Sequence, residues 1–267
     1  MAADDGAPAA PDRQLKLTYF RVRGRAELTR LVLAAGGVPY EDERISLEEH
    51  KRRKEDARLS SEEHRQKRRK EAPPSSQLPF GQLPTLTVGG RVFAQSYSIA
   101  KFAARLGGLM PKDPVEVLLA ESIVDTTDDV RSKFVPIRYL AAEDKEILRR
   151  YAEFFEELLP PRLEQFEGLC PDHGGCLVGG GLTVADLAVF NMCEYLTAPS
   201  CARQLASPEH TALGANCLSK FPKLQKHRDM VSQVPGVKAW LAKRPRTPHD
   251  DVRTLVDADF VLPQGVA

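Results

Sequence analysis

Tyr19 is the first side chain in the sequence whose type and position could do chemistry. It lies at the end of the alternating stretch LKLTYF, Leu15–Phe20, which predicts a β-strand. Side chains at strand ends commonly serve function, and a phenol there can donate a hydrogen bond to an anion. Arg25 follows six residues later, near the start of the next predicted helix. Periodicity alone favours a simpler interpretation, in which Tyr19 is an ordinary aromatic residue of the strand.

The segment CPDHGGC at residues 170–176 is a second candidate, for a metal or redox site. Cys170 and Cys176 are separated by five residues, and His173 lies between them. These three ligands are an incomplete set for a structural zinc site, which needs four. We therefore interpret the segment as a glycine-rich loop with incidental thiols, and we predict no metal ligands there.

The elements that would position these residues fall into two groups along the chain. The first group reads strand, helix, strand, then a β-hairpin around Gly89-Gly90 and a helix that Ser96 can cap. The predicted strands are Leu15–Phe20, Tyr40–Ile45, Thr85–Val88 and Arg91–Ala94, and the helices include residues 28–35 and 99–106. This order predicts a small α/β domain with one antiparallel arm.

From Val115 onward strand alternation is absent, and apolar side chains recur at helical spacing. Thr183 and Asp186 form a capping-box pattern at the start of one of these helices, which indicates a role in folding rather than catalysis. The predicted fold class is therefore α/β followed by all-α. We expect domains at 14–108, with a charged insert at about 47–77, and at 115–247, with a disordered tail at 1–13 and a C-terminal tail at 248–267.

Composition restricts the class of protein. The chain has 267 residues, of which 42% are apolar, enough for a packed core. Its 38 basic and 37 acidic residues nearly cancel, whereas proteins that hold nucleic acid by its phosphates normally carry a basic surplus. Five irregularly spaced cysteines indicate free thiols in a reducing compartment. No stretch approaches the ~20 apolar residues that span a membrane. We expect a soluble, cytoplasmic protein without nucleic-acid or membrane partners.

Residues 48–71 form a charged run, EEHKRRKEDARLSSEEHRQKRRKE, in which ten of 24 residues are basic and seven acidic. Such a run is typical of a nucleic-acid patch, a nuclear localisation signal or a solvated helix. Acid-first pairs at i,i+4 favour the helix, and the lack of interleaved aromatic residues disfavours nucleic acid. We predict an inserted, mobile helical segment with the pairs Glu48/Arg52, Glu49/Arg53 and Glu63/Lys67.

Six motifs occur in the order that one family shows. They are KLTYFRVRGRAE, PFGQLPTL, QSYSIAKF, IVDTTDDV, GLTVADLAVF and FPKL…VPGVKAWLAKRP. Together they resemble the sigma class of cytosolic glutathione transferases, over roughly residues 14–246 apart from the charged run. The resemblance implies a thioredoxin-like first domain and an all-helical second domain. It also implies a homodimeric enzyme that conjugates reduced glutathione to small hydrophobic electrophiles.

The resemblance implies roles for single residues as well. Tyr19 matches the catalytic tyrosine whose hydroxyl stabilises the glutathione thiolate, and Arg25 matches an arginine that assists this site electrostatically. Pro84 matches a proline that thioredoxin-like folds keep in the cis form. The residues implied to bind glutathione are Gln82, Leu83, Pro84, Gln95, Ser96 and Asp129, of which Asp129 reaches across the dimer interface.

The glycine end of glutathione is the part of the resemblance that leaves alternatives open. The family has a short helix here, with a Trp and a Lys that contact the glycine, whereas this chain has a much longer stretch without Trp. Counting from Ile45 points to His50 and Lys54. The second copy of EEH in the run points instead to His64 and Arg68.

The electrophile is implied to bind beside Tyr19, against the helix that follows Asp129. Its wall would consist of Val22, Arg131, Phe134 and Ile137. Some sigma enzymes also bind a divalent cation near an acidic trio, which here comprises Asp125, Asp128 and Asp129 at i, i+3 and i+4. A solvated acidic helix face explains the trio more simply.

Two other functions are alternatives to conjugation. The first is a glutathione-dependent prostaglandin D isomerase, although that branch keeps an aromatic residue near Pro136 and is apolar at the position of Arg131. The second is a crystallin-like relative that keeps the fold without useful turnover. Because the implied glutathione-contacting set survives in this chain, the sequence favours an active enzyme over the second alternative.

Overall fold

A computed structural model describes residues 14–65, 78–138, 144–198 and 208–245 of the chain. The predicted tails and residues 66–71 of the charged run lie outside these residues. The sheet contains β1 (Leu15–Phe20), β2 (Glu41–Ile45), β3 (Thr85–Val88) and β4 (Arg91–Ala94). Its strand order is β2-β1-β3-β4, with β2 parallel to β1 and the β1/β3 and β3/β4 pairs antiparallel.

β1 is a central strand, and its sequence suits that place. Leu15, Leu17 and Tyr19 are all buried, and Thr18 on the opposite face is buried as well. A 3₁₀ turn at Gly24–Ala26 then leads into α1 (Glu27–Ala35), which packs against α3 (Ser96–Leu106). The first part of the described chain is thus the predicted α/β unit, and it carries Tyr19 at the end of its central strand.

The second part of the described chain is helical. Its helices are α4 (Pro114–Arg138), α5 (Asp144–Glu153), α6 (Pro160–Leu169), α7 (Val184–Leu196), α8 (Pro208–Asn216), α9 (Pro222–Gln233) and α10 (Pro235–Lys243), with a π-helical turn at Phe154–Leu158 after α5. None of the helices in the described ranges is long and apolar enough to cross a membrane.

α7 lies in the middle of the helical part and packs against α4, α9 and α1. The capping box predicted at its start is confirmed: the N–H and Oγ1 of Thr183 both donate to Asp186 Oδ2, at 2.8 and 2.9 Å. The other oxygen of Asp186 accepts from the N–H of Leu177 at 2.8 Å and lies 3.0 Å from His227 Nε2. The buried carboxylate therefore joins the helix start to a preceding loop and to α9.

The charged run is helical as far as Arg65, as predicted. This helix, α2 (Leu47–Arg65), begins where the Oγ of Ser46 accepts the N–H of Glu49 at 3.1 Å. The predicted pair of Glu49 with Arg53 is confirmed at 2.6 Å. The predicted pair of Glu48 with Arg52 is wrong, because Arg52 bonds instead to Glu49 and Asp56, at 2.8 and 2.9 Å. Lys67 of the third pair lies outside the described residues.

One helix start also differs from its prediction. Ser96 does not cap α3 but is its first residue, and Gln95 occupies the N-cap position. Gln95 has φ 79°, a left-handed conformation that a non-glycine residue adopts only when its surroundings hold it there. The strained residue therefore lies directly before the helix N-terminus that faces the domain cleft.

Candidate active site

The hydroxyl of Tyr19 lies at the turn that joins β1 to α1. The backbone N–H of Arg25 donates a hydrogen bond of 3.1 Å to this hydroxyl oxygen. Since the oxygen accepts this bond, the phenol proton stays free to be donated to another group. The contact sets the direction in which Tyr19 can donate.

The side chain of Arg25 points away from Tyr19, toward the helical domain. Its Nη1 donates to Asp128 Oδ1 on α4 at 3.2 Å, and Tyr97 on α3 donates to the same oxygen at 3.1 Å. Burial, and then the charge of Asp128, raise the pKa of Tyr97 well above its ordinary value, so this hydroxyl stays protonated and remains a donor. Asp128 thus joins the Tyr19 turn, α3 and α4 at a single carboxylate.

A small cleft opens beside this carboxylate, with a volume of about 10 Å³, roughly the room for one water molecule. Its lining comes from both parts of the chain and comprises Gly24, Arg25, Leu28, Ser96, Tyr97, Arg131 and Asn191. Two guanidinium groups, hydroxyls and an amide among these residues make it a polar cleft that favours anions.

The residues implied to hold the peptide part of glutathione surround one side of this turn. The Leu83–Pro84 bond is cis, as predicted. Gln82 is exposed, and Leu83 is half-buried directly before the start of β3. Ser96 offers the free N–H groups of the first turn of α3, whose dipole favours a carboxylate. The roles of these residues in binding glutathione stay predictions.

His50 and Lys54 lie one turn apart on α2, and both approach the same region. The ring of His50 meets Phe20 edge to face, with centroids 5.3 Å apart. A Cβ added to Gly81 would lie 3.4 Å from Lys54 Cε, so the lysine stem passes over the loop before Pro84. Burial lowers the pKa of His50, and the neighbouring Lys54 adds to this effect. The choice between this pair and His64 with Arg68 stays a prediction, because the side chain of His64 and all of Arg68 lie outside the described part.

The acidic trio of α4 has separate surroundings. Asp125 pairs with Lys101 on α3 at 3.1 Å, and Asp128 accepts from Arg25 and Tyr97. Asp129 is exposed to solvent. In the described ranges of the chain, no group of three or more His, Cys, Asp or Glu side chains is arranged to hold a metal ion. The divalent cation considered for this trio therefore has no support, because two of its three carboxylates already bind protein cations.

The four residues expected to contact the electrophile do not share one environment. Val22 is half-buried in the turn after β1, and Arg131 stacks on the ring of Tyr195 with 4.9 Å between guanidinium carbon and centroid. Ile137 is 9% exposed. Phe134 is fully buried in an aromatic cluster, 4.8 Å from the ring of Phe154, so a ligand would reach it only if the cluster moved.

The cysteine segment has no sign of special reactivity. Burial raises the pKa of Cys170 and of Cys176 to about 11, the opposite of what activates a thiol. Cys170, Cys176 and Cys193 form no disulfide with another described residue. Both observations agree with a glycine-rich loop that carries incidental thiols.

Several residues of the site were not indicated by sequence patterns. Tyr97 directly follows Ser96 in the motif QSYSIAKF. Its position beside a predicted site residue was the only sequence signal for Tyr97. Asn191 interrupts the apolar run LAVFNMC on α7, which is a usable signal for a polar group facing a cleft. Trp240 had none, because it meets Glu27 only once α10 packs on α1. Arg30 had none, because Asp42 and the carbonyls of Val22 and Arg23 reach it only in the folded domain.

Comparison with known proteins gives consistent results. The family model of the glutathione S-transferase C-terminal domain matches residues 128–244. Glutathione S-transferase 1 of Ascaris suum is 33% identical over 88% of this chain and 99% of its own length. Hematopoietic prostaglandin D synthase of Gallus gallus is 30% identical, over 87% and 97%. The structure of rat hPGDS complexed with a quinoline has a TM-score of 0.67 at 26% identity, covering 88% of this chain and 98% of that one.

Proposed function

The chain belongs to the glutathione S-transferase family, and we propose that it conjugates reduced glutathione to small electrophiles through a thiolate that Tyr19 stabilises. The observation that carries the assignment of Tyr19 is its contact with Arg25. Because the Arg25 N–H already donates to the phenol oxygen, the Tyr19 proton is directed outward to a ligand. A sulfur bound beside β1 would be the acceptor.

The energy required fits one such hydrogen bond. A free thiol with a pKa of about 8.5 is only a few per cent thiolate near neutral pH. Lowering that pKa by about two units needs about 2.7 kcal/mol of differential stabilisation. A hydrogen bond to a charged group contributes about 1.5–3 kcal/mol. Tyr19 is therefore the catalytic residue, and Arg25 directs it through its backbone and adds positive charge near the sulfur.

Glutathione would bind in an extended conformation along the end of the sheet. The backbone of Leu83 before the cis proline would pair with its cysteinyl residue like an added strand. The γ-glutamyl carboxylate would accept from the N-terminal turn of α3 at Gln95 and Ser96. Gln82 and Lys54 are the candidates for the glycine carboxylate, since Lys54 passes over Gly81.

The active form would be a homodimer, in which Asp129 of each protomer reaches the γ-glutamyl amine of glutathione bound to the other. Exposed apolar side chains support such an interface: Phe93 on β4 is 42% exposed, and Val115 and Leu118 on α4 are 73% and 66% exposed. Light scattering should give twice the monomer mass, and Asp129→Asn should weaken glutathione binding without dissociating the dimer.

The electrophile would lie between the turn at Val22 and the α4 face of Arg131 and Ile137. We place this activity in the cytoplasm, where reduced glutathione is abundant and the free thiols of the chain stay reduced. The products would be thioethers, formed when the thiolate displaces a leaving group or adds to an activated double bond.

The test is a conjugation assay with reduced glutathione and a generic aryl halide. Wild type should turn over, and Tyr19→Phe should lower kcat/KM by about 10- to 100-fold, consistent with the loss of one hydrogen bond to a charged group. Absence of both activity and glutathione binding in wild type would exclude the enzyme and leave a crystallin-like relative. Full activity of Tyr19→Phe would remove Tyr19 from the catalytic role.

A second candidate function is glutathione-dependent prostaglandin D isomerisation, which the similarity to the avian synthase supports. Arg131 argues against it, because it places a positive charge on the wall that the prostaglandin branch keeps apolar. Assaying isomerisation and conjugation side by side on one preparation separates the two, since each product is distinct.

A further inference from the structure

Arg30 is the largest fully buried side chain of the described protein, and none of its surface meets solvent. Its guanidinium makes bonds in three directions. Nε donates to Asp42 Oδ1 at 3.0 Å, while Nη1 donates to the carbonyls of Val22 and Arg23 at 3.1 and 3.2 Å. Nη1 also lies 3.4 Å from Glu27 Oε2. Nη2 is buried without a hydrogen-bond partner among the described residues, so Nε and Nη1 make all of these bonds. A buried cation costs several kcal/mol unless its charge is paired, and Asp42 and Glu27 supply the opposite charge here.

The two carbonyls that Arg30 holds belong to the turn that serves the active site. That turn leaves β1 after Phe20 and returns the N–H of Arg25 to the hydroxyl of Tyr19. The guanidinium carbon also lies 6.0 Å from the centroid of the Tyr19 ring, within cation–π range. Arg30 therefore contacts both the turn that carries the donor and the ring that receives its bond.

The far side of Arg30 is fixed by the C-terminal helix. Glu27 is 2% exposed, and besides Arg30 its carboxylate accepts from Trp240 Nε1 at 3.0 Å and from Arg244 Nη1 at 3.3 Å. Arg244 also lies 3.6 Å from Glu194 on α7. The bonds run from the end of α10, through Glu27 and Arg30, to the turn beside Tyr19.

We propose that Arg30 is a positioning residue for the reaction: its bonds to the carbonyls of Val22 and Arg23 hold the turn in the shape that lets Arg25 direct the Tyr19 hydroxyl toward sulfur. This inference rests on the proposed function. It assigns Arg30 no contact with glutathione and no part in proton transfer. Lysine cannot substitute, because its side chain ends one atom short of Nη1, the nitrogen that makes both carbonyl bonds.

If Arg30 only stabilised the fold, its substitution would give a different result. Its loss would lower the melting temperature and the yield of folded enzyme, and the chemistry of the remaining folded enzyme would be unchanged. A positioning role changes the acidity of bound glutathione in enzyme that is fully folded. The charged or titratable groups that contact the turn beside Tyr19 or line the cleft next to it are Arg23, Arg25, Arg30, Tyr97, Asp128 and Arg131.

The experiment measures the pKa of the thiol of glutathione bound to the full chain, from the ultraviolet absorbance of the thiolate as pH is varied. Arg30→Lys keeps the charge that Glu27 and Asp42 need but ends one atom short of Nη1, so both carbonyl bonds are lost. We expect it to raise the thiol pKa by about one unit, which lowers kcat/KM about tenfold at pH values below that pKa. Affinity for S-methylglutathione, which has no thiol, should change less than about twofold.

Asp42→Asn is the matched control, because it weakens a bond of the same guanidinium without touching the two carbonyl bonds. It should leave the thiol pKa unchanged. Glu27→Gln is the second variant, which keeps the side-chain shape and weakens the attraction to Arg30 as well as to Arg244, so we expect a smaller shift in the same direction. An unshifted thiol pKa in both Arg30→Lys and Glu27→Gln overturns the inference, as does an equal shift in Asp42→Asn. Wild-type enzyme that binds no glutathione refutes the proposed function instead.

Discussion

Gly24 lies directly against the ring of Tyr19. A Cβ at Gly24 would stand 2.5 Å from Tyr19 Cε1 and 2.6 Å from its hydroxyl oxygen, closer than any real contact of such atoms. Gly24 also has φ 47°, in the left-handed region that favours glycine. The turn therefore passes close to the Tyr19 hydroxyl at Gly24, because a side chain at this position would collide with the ring.

Gly24→Ala should accordingly damage both activity and stability. We expect kcat/KM to fall at least about tenfold, because the ring must rotate or the turn must open, and a left-handed alanine adds about 1–2 kcal/mol of strain. Conjugation kinetics and chemical denaturation measure the two effects. Gly90→Ala is the control: it has φ 80° and no atom within 4 Å of the added Cβ, so it should lose stability while keeping full activity per folded molecule.

Local patterns predicted the elements that hold this site. The bounds of β1, β3 and β4 agree with the structure residue for residue, because period-2 alternation and the Gly89-Gly90 turn are properties of the segment itself. The capping box of Thr183 and Asp186 at the start of α7 is likewise a property of its own segment. The Tyr19 assignment was different in kind, since periodicity favoured an ordinary strand aromatic and only the surrounding motif argued otherwise.

Contacts that depend on packing could not be predicted in this way. The bond from Trp240 to Glu27 joins residues 213 positions apart, and it exists because α10 packs on α1. Arg52 pairs with Glu49 and Asp56 and not with the predicted Glu48, because several carboxylates of α2 lie within reach of its flexible guanidinium. The position of Lys54 beside Gly81 likewise depends on how α2 packs against that loop.

Lys54→Met should raise the KM for glutathione by up to about fivefold with little change in kcat. In the proposed function the lysine binds the glycine carboxylate, which does not react, so it contributes equally to ground state and transition state. An exposed charge pair of this kind is worth up to about 1 kcal/mol. Steady-state kinetics with varied glutathione give the result.

Lys51→Met provides the comparison for Lys54, because Lys51 is an exposed lysine of the same helix. If both variants raise KM equally, the effect comes from the general positive charge of α2. Lys54 would then have no specific role at the glycine end.

Glu43 links acid stability to the attachment of α2. The Arg53 guanidinium, which donates to both carboxylate oxygens at 3.0 Å, lowers the pKa of Glu43 to about 2, and Thr18 adds to this effect. A carboxyl whose pKa is lower in the folded state than in the unfolded state stabilises the fold. Its contribution is complete above the unfolded pKa and is lost as pH falls toward the folded pKa. Glu43→Gln should therefore cost about 1–2 kcal/mol at neutral pH, a value reduced for partial exposure.

The free-energy difference between wild type and Glu43→Gln should shrink steadily as pH falls from about 4.5 to about 2. Urea denaturation at a series of pH values measures it. Glu49→Gln, which removes the other carboxylate bound by Arg53 on the exposed side of α2, should change the free energy of unfolding little. A difference for Glu43→Gln that is constant with pH would show that packing, rather than charge, sets its contribution.

Arg131 should determine which electrophiles the enzyme accepts. Its guanidinium stacks on Tyr195 and shares the lining of the cleft with Arg25, so the wall of the site carries positive charge. An electrophile with a carboxylate should therefore be preferred over a neutral one of the same shape. Arg131→Met should lower kcat/KM for an anionic aryl halide by about five- to tenfold, the effect of about 1 kcal/mol, and leave the neutral aryl halide within about twofold.

Lys133→Met changes an exposed cation of the same helix and should alter neither rate. Equal losses with both substrates in Arg131→Met would mean that the stacked side chain supports the wall and does not select charge.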